Sequence, residues 1–373
     1  MEKKLKVCVY AICKNEEKYV DRWVNSLIDE ADYVVVLDTG STDTTVEKFK
    51  IYEPFVTVKQ YDYFAETGHF RFDKARNDSL KMVPIDTDIC VVLDLDQVPN
   101  TGWSDIVREN FAKGYNEVRG YIVDHDQEGN ELNRWESRNV HPNSPFFIWT
   151  RIIHEGIEYY GNEENKTIFV PEFIINHYPD ESKDRSLYRK LLEDAVELYP
   201  KDPYYGIYLG IELARRYSKE DSTEAFRRAL NECDFTNSKD LEYQMCINLA
   251  SMTTFDEAIT VLNRASKIGY KTRRLYKVYA DAYESIGDSD NAIAYLEAAL
   301  TEVRSYSNDW TDDYYLFMGY IEDKLSLFYY YQKNDPLKSF EYCVKALEKD
   351  KDNERLRNNL KFYYESFLEK SGN

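Results

Sequence analysis

Short, uninterrupted apolar runs punctuate the first half of the chain: Leu5 to Ile12, Tyr33 to Leu37, Phe55 to Val58, Ile89 to Leu93, Val118 to Val123, Pro145 to Thr150 and Phe173 to Asn176. Stretches such as VVVL and CVVL carry no polar face, which suits strands covered on both sides of a sheet. Between the runs the chain is polar or helical. From Glu17 to Glu30, for example, Val20, Trp23, Val24 and Leu27 fall on one helix face. Strands alternating with helices predict an α/β layer built on a mostly parallel sheet.

From about Lys183 the strand signal stops and helix–turn–helix spacing takes over. Small residues recur at Ala225 in EAFRRAL, Ala258 in DEAITVL and Ala292 in NAIAYLEAAL, at steps of 33 and 34 residues. A further cycle, LKSFEYCVKAL near Ser339, follows a longer insert, and Ile286-Gly287-Asp288 reads as an interhelical turn. The period resembles that of tetratricopeptide repeats. An irregular helical bundle is the plainer alternative. The expected organisation is an α/β domain over residues 1–180 and an all-α repeat domain over 181–373.

A chain of 373 residues agrees with two domains, each able to bury its own core. Its 43% hydrophobic and 31% charged residues are ordinary for a folded protein. The unusual figures are 33 tyrosines and a net charge of −20. A field of one sign repels phosphate backbones, and no local basic patch offsets it, so nucleic acid is not an expected partner. The opening MEKKLKVCVYAIC runs into Lys14, Asn15 and Glu16 before a signal-peptide core is complete. No stretch reaches the roughly 18 apolar residues of a membrane span. A cytoplasmic protein is the expectation. Six cysteines without a C-x-x-C pair read as buried free thiols.

In open α/β sheets ligands gather beyond the carboxyl ends of the strands, which makes the residues after each run the candidates for chemistry. After the first run stand Lys14, Asn15 and Glu16. After the second comes Asp38-Thr39-Gly40-Ser41-Thr42-Asp43-Thr44-Thr45, where turn and helix-cap chemistry accounts for Ser41 and Asp43 but leaves Asp38 without a task. After ICVVL come Asp94 and Asp96. Two carboxylates one residue apart at a strand exit repel each other and are stabilised by a divalent cation. The pattern D-x-D is unspecific in an acidic chain. Asp86-Thr87-Asp88 and Asp124-His125-Asp126 repeat it by chance, and only the strand context raises Asp94 and Asp96 above them.

In this order, AICKNEE (11–17), VVVLDTGSTDTT (34–45), FDKARNDSL (72–80), VVLDLDQ (91–97), RIIHE (151–155) and INHY (175–178) resemble the family 2 glycosyltransferases of GT-A fold. With the helical repeats, the arrangement also resembles bacterial peptide and protein glycosyltransferases of the sublancin S-glycosyltransferase type, which implies a peptide or protein acceptor. The resemblance implies a nucleotide-sugar donor, a UDP-sugar, whose uracil or ribose is bound by Asp38 with Ala11 and Glu16 in the same pocket. It implies that Arg76 approaches the diphosphate or orders the loop beneath it, that Asp94 faces the ribose, and that Asp96 binds Mn²⁺ or Mg²⁺ with His177 completing the coordination. Leu95 stands where relatives often have Ala. Gln97 replaces a common Glu, which removes a charge beside the metal.

The implied reaction inverts the anomeric carbon by direct displacement. It needs positive charge on the leaving diphosphate, which the metal supplies, and a base beside the acceptor. Glu155 in RIIHE is the candidate base and His154 the alternative base or positioning group; a solvated loop carboxylate is the plainer account of Glu155. Trp135, Phe146, Phe147 and Trp149 are a candidate sugar or acceptor platform, or core. Stacked repeats leave a concave face on which Tyr204, Tyr205, Tyr208, Tyr314 and Tyr315 can meet a polypeptide, and the same repeats can form a homodimer. A saccharide or lipid-linked glycan is the other acceptor class. Two readings of other kinds compete. One is a haloacid-dehalogenase-type phosphatase with Asp94 as nucleophile and Asp96 as acid/base, although the motif lies too late in the sheet and the later pair Asp312-Asp313 falls among helices. The other is a non-catalytic repeat scaffold with a degenerate front domain.

Overall fold

Every residue of β1 (Val7–Cys13) is buried, and the first part of the chain is built around it. In the computed structural model, which describes residues 4–63, 70–180, 186–303 and 313–371, β1 has parallel neighbours on both sides, β2 (Tyr33–Asp38) and β4 (Ile89–Val92). β3 (Val56–Gln60) extends the parallel group beyond β2. On the other side the sheet becomes mixed. β8 (Val140–Pro142) runs antiparallel to β4 and to β6 (Glu117–His125). β11 (Thr167–His177) is parallel to β6, and β5 (Gln97–Pro99) is antiparallel to β11. The order across the sheet is β3-β2-β1-β4-β8-β6-β11-β5, with β7 (Glu131–Glu136) pairing outside this path with β6. β9 (Phe147–Thr150) and β10 (Gly156–Tyr159) form a separate two-stranded ladder.

Each of the seven apolar runs therefore lies on a strand. The strands without a sequence signal are β5 and β8, three residues each, β10, and β7, whose six residues are all exposed. The helical pattern between Glu17 and Glu30 forms α1 (Val20–Asn25), which buries Val20, Trp23 and Val24. α2 (Thr45–Lys50), α3 (Phe72–Leu80) and α4 (Trp103–Ala112) follow. Trp23, Phe49, Trp103 and Phe173 pack with the alternate side chains of β1, Val7, Val9 and Ala11. The complementary positions Cys8 and Tyr10 pack with Cys90, Phe147 and Trp149. This two-sided burial is why β1 shows no polar alternation.

The chain divides into two compact units, Met1–Leu191 and Leu192–Asn373, with the division inside α5 (Ser186–Leu198). The second unit pairs α6 (Pro203–Arg216) with α7 (Lys219–Glu232), α8 (Lys239–Ala250) with α9 (Phe255–Ile268), α10 (Arg273–Ser285) with α11 (Ser289–Thr301) and α12 (Tyr320–Tyr331) with α13 (Pro336–Lys349), and ends in α14 (Glu354–Lys370). The fourth residue of the second helix in each pair is small and buried: Ser222 (0% exposed), Ala258 (2%), Ala292 (0%) and Ser339 (0%). Seven residues on, Ala229, Ala265, Ala299 and Ala346 are buried as well. The first repeat therefore anchors on Ser222, whose Oγ donates to the Gly210 carbonyl at 2.7 Å, and not on Ala225, which is half-buried. Gly287 has φ +78° in the Ile286-Gly287-Asp288 turn, a conformation glycine adopts without penalty, and Asp288 caps α11 through Asn291 N at 3.1 Å.

All six cysteines are unpaired, and all but Cys233 are buried. Among the described residues no helix is long and apolar enough to cross a membrane.

Candidate active site

The carboxyl ends of β1, β2 and β4 open on a cavity of about 450 Å³, within the range of small-molecule sites. Ile12, Cys13, Lys14, Glu16 and Thr39 line it from β1 and β2, and Asp94, Leu95 and Asp96 from the segment after β4. Arg76 of α3, His154 and Glu155, His177 at the end of β11, and Leu187 and Tyr188 of α5 complete the wall with Phe70 and Phe72. Motifs far apart in the chain thus converge on one space.

The clusters that follow β1 and β2 clasp each other. Asn15 N donates to Ser41 Oγ at 2.8 Å, Thr42 N to Asn15 Oδ1 at 2.7 Å and Glu16 N to Thr45 Oγ1 at 2.8 Å. Asp38 organises this turn from inside. Its Oδ1 accepts from Gly40 N at 3.2 Å and Ser41 N at 3.0 Å, and its Oδ2 accepts from the Ser41 hydroxyl. It is 0% exposed. The position expected to bind uracil or ribose is therefore a buried turn carboxylate and does not line the cavity. Ala11, expected in the same pocket, is instead a core residue: it is 0% exposed in the middle of β1, and its neighbours Ile12 and Cys13 take the cavity positions. Glu16 lines the cavity.

Arg76, 7% exposed, stands between two acidic motifs. Its Nη2 lies 2.6 Å from Asp94 Oδ1 and its Nε donates to Glu155 Oε1 at 3.0 Å, while Nη1 is buried with no hydrogen-bond partner among the described residues. Burial opposes the guanidinium charge, but Asp94 and then Glu155 more than restore it and raise its pKa above the ordinary arginine range. Arg76 thereby ties the loop that carries Glu155 to the segment after β4. Asp94 remains 43% exposed at its side chain and lines the cavity, with one oxygen committed to Arg76.

The loop that carries Glu155 is tightly specified. Arg151 and His154 have φ of +74° and +53°, a region that costs non-glycine residues about 1–3 kcal/mol. A backbone bond from Phe72 N to Ile152 O at 3.0 Å and an ion pair from Arg151 to Glu158 at 3.1 Å hold it. The turn at His154 goes with its place at the cavity, where Nε2 is hydrogen-bonded to the Tyr188 hydroxyl.

At the other edge His177 Nε2 is 3.6 Å from Asp96 Oδ2, and Nδ1 is 2.6 Å from Asp124 Oδ1. This meeting is a matter of register. Thr167 pairs with Glu117, an offset of 50, whereas Ile174 pairs with Tyr121 and His177 with Asp124, an offset of 53. The three extra residues bulge out of β11 and bring the histidine opposite the aspartate. Gly120 makes room for them: a Cβ there would lie 1.9 Å from the Phe173 carbonyl oxygen. Burial opposes charge on His177, but Asp96 and Asp124 outweigh it and raise its pKa. Asp124, the nearer carboxylate, belongs to a D-x-D that reads as chance in the sequence; its signal is its place at the end of an apolar strand.

The implied divalent metal can be tested against these residues. Two ligands, each about 2.1 Å from one ion, span the Asp96–His177 separation, and the Asp124 contact leaves Nε2 as the histidine's ligating nitrogen. Among the described residues no group of three or more His, Cys, Asp or Glu converges as a ready-made cage. The donor set fits an ion held by two protein ligands and completed by phosphate and water.

The aromatic platform is not assembled at the cavity. Phe147 and Trp149 are core residues (4% and 8% exposed). Trp149 Nε1 donates to Tyr10 Oη at 2.9 Å. Phe146 and Trp135 are exposed, Trp135 lying edge-on to His177 with centroids 6.2 Å apart. Of the five tyrosines expected on the repeat surface, Tyr205 is buried, Tyr204 and Tyr208 are half-buried, and Tyr314 and Tyr315 are exposed.

Among solved structures the chain is similar to Staphylococcus aureus TarS 1–349 in complex with UDP-GlcNAc, at 14% identity over 81% of this chain and 93% of that one, with a TM-score of 0.39. It is also similar to TTC0263, a thermophilic TPR protein of Thermus thermophilus, at 18% identity over 49% and 90% of the two chains with a TM-score of 0.33. A third likeness is to MamA from Desulfovibrio magneticus RS-1, at 17% identity over 44% and 85% with a TM-score of 0.35. No curated protein matches the chain. Residues 8–178, the stretch from β1 to the end of β11 that carries Arg76, Asp94, Asp96, Glu155 and His177, match the model of the family described as glycosyl transferase family 2, so the first unit is a glycosyltransferase domain.

Proposed function

We propose that the protein is an inverting, metal-dependent glycosyltransferase that moves a sugar from a UDP-sugar to a side chain of a peptide or protein. The observation that carries this reading is the convergence of Arg76, Asp94, Asp96, Glu155 and His177 on one cavity at the strand ends. Asp96 and His177 hold Mn²⁺ or Mg²⁺, whose role when bound is to neutralise charge developing on the leaving diphosphate. Asp94 faces the ribose through the oxygen that Arg76 leaves available. Arg76 Nη1, buried and without a hydrogen-bond partner among the described residues, is a remaining donor for an oxygen of the nucleotide-sugar. Glu155, fixed in place by Arg76, takes the acceptor's proton as the new bond forms, and His154 positions the acceptor. A polypeptide acceptor fits a transferase domain followed by helical repeats, whose stacked pairs leave an extended face; dimerisation is the other use of that face. The cytoplasm is the compartment in which six unpaired cysteines are at ease.

The test is calorimetric titration of UDP, GDP and TDP into the protein with Mn²⁺ and with EDTA, repeated on Asp96→Ala. Metal-dependent binding of UDP that the substitution abolishes supports the proposal. Binding of none of the three overturns it and favours the repeat scaffold.

A further inference from the structure

We infer that Asp124 is a positioning residue for metal binding: through His177 Nδ1 it fixes the direction and the tautomer in which His177 presents Nε2 beside Asp96. This rests on the proposed metal site and names a residue that none of the six motifs contains.

Asp124 and His177 are register partners on the parallel strands β6 and β11, so their side chains project on the same side. They pair only because the bulge between Phe169 and Ile174 changes the offset, and that bulge is accommodated only because residue 120 has no side chain. The 2.6 Å contact between Oδ1 and Nδ1 is that of a charge-assisted hydrogen bond, in which the imidazole N–H donates to the carboxylate. With its proton on Nδ1, a neutral imidazole has its lone pair on Nε2, the nitrogen that faces Asp96 at 3.6 Å. A histidine held by one ligating nitrogen and one carboxylate-bound N–H is both oriented and made a stronger ligand. Loss of such outer partners weakens metal affinity by about 10–100-fold. The Asp124 side chain is only 25% exposed and the His177 side chain 22%, so water competes weakly for the bond.

The experiment titrates Mn²⁺ into the full chain in the presence of UDP, GDP or TDP, in wild type, Asp124→Asn, Asp124→Ala, His177→Ala and the Asp124→Ala/His177→Ala double variant. The dissociation constant is read by calorimetry and by the loss of free-ion paramagnetic resonance signal. Asp124→Ala should weaken Mn²⁺ binding about tenfold or more. Asp124→Asn keeps an acceptor for Nδ1–H but loses the charge, and should fall between it and wild type. In the His177→Ala background the Asp124 substitution should add nothing, because its effect passes through the histidine. Unchanged affinity in both Asp124 variants, or an equal additional loss without His177, overturns the inference. Asp124→Asn, nearly isosteric, decides the matter if Asp124→Ala does not fold. Wild-type protein that binds Mn²⁺ with none of the nucleotides overturns the metal site itself and the role of Asp124 with it, an outcome distinct from wild-type binding that the variants share.

Discussion

Glu155 receives a hydrogen bond from Arg76 Nε at 3.0 Å, and so a residue 79 positions away along the chain determines where the candidate base points. Glu155→Gln retains an oxygen for that bond and loses the proton-accepting charge. The expected outcome is nucleotide affinity close to wild type with turnover reduced by about 10²–10⁴-fold. UDP-sugar hydrolysis, with water as acceptor, measures it. Equal turnover in the variant would remove Glu155 from the reaction.

Arg76→Met takes away the buried cation that pairs with both Asp94 and Glu155 and leaves the two carboxylates without it. Breaking a buried ion pair costs about 3–5 kcal/mol, and the lower end applies because the Asp94 side chain is 43% exposed. Urea unfolding followed by tryptophan fluorescence reports chiefly on the first unit, where Trp23, Trp103, Trp135 and Trp149 lie. A loss of about 3 kcal/mol is expected there. Adding Glu155→Gln should recover part of it, since that removes one of the charges left without a partner.

Gly120→Ala tests the bulge. A methyl group 1.9 Å from the Phe173 carbonyl oxygen meets backbone, which has little freedom to move within a paired strand. The strand must shift, at a cost of about 1–3 kcal/mol, and His177 shifts with it. The variant should lose stability and metal-dependent nucleotide binding together. Loss of stability with unchanged Mn²⁺ dependence would show that the bulge does not govern the histidine.

The pH dependence of stability has an identifiable source in His141. Its Nδ1–H donates to the Pro142 carbonyl at 2.9 Å and its Nε2 accepts from the Tyr10 hydroxyl at 2.8 Å, so both nitrogens are satisfied in the neutral form. Burial lowers its pKa from 6.5 to about 4, only partly offset by the Pro142 bond. A histidine with a depressed folded pKa binds fewer protons folded than unfolded between these values. Its contribution is therefore complete above pH 6.5 and is lost as pH falls toward 4. The loss amounts to about 3 kcal/mol at the acid end. His141→Gln should flatten the stability profile of the first unit in that window, measured by urea unfolding at successive pH values.

How much of this was legible in the sequence depended on whether a feature is local. β1 and β4 announce themselves because burial on both faces removes every polar position, and Asp94 and Asp96 reach the cavity because they follow β4, while Arg76 comes from α3, Glu155 from the loop between β9 and β10 and His177 from the end of β11. Asp38 shows where that logic stops. A carboxylate at a strand end can serve a ligand or its own turn, and only the donors Gly40 N, Ser41 N and Ser41 Oγ show which. Asp124 was hidden for the opposite reason, since its importance comes from a three-residue register change in a strand about 50 residues later. In the repeats, spacing located the helices, but Ser222 escaped notice because its hydroxyl is satisfied by Gly210 at a position where the other repeats use Ala or Ser.

Tyr188 also lines the cavity outside every motif, as Phe70 and Leu187 do, and it meets His154 there. Its hydroxyl is hydrogen-bonded to His154 Nε2 and the two rings meet edge to face, with centroids 5.2 Å apart and planes at 78°. His154 holds a left-handed backbone at φ +53°, which an unconstrained histidine would leave. Tyr188→Phe keeps the ring packing and removes the hydroxyl, so the imidazole loses one contact that directs it while the β1 and β2 side of the cavity stays intact. Nucleotide affinity should remain at the wild-type value and UDP-sugar turnover should fall about tenfold, the size expected from about 1.4 kcal/mol of lost positioning. In a His154→Ala background the same substitution should have no further effect. A fall in nucleotide affinity parallel to the fall in turnover would make Tyr188 a structural support of the whole cavity. Additive losses would separate it from His154.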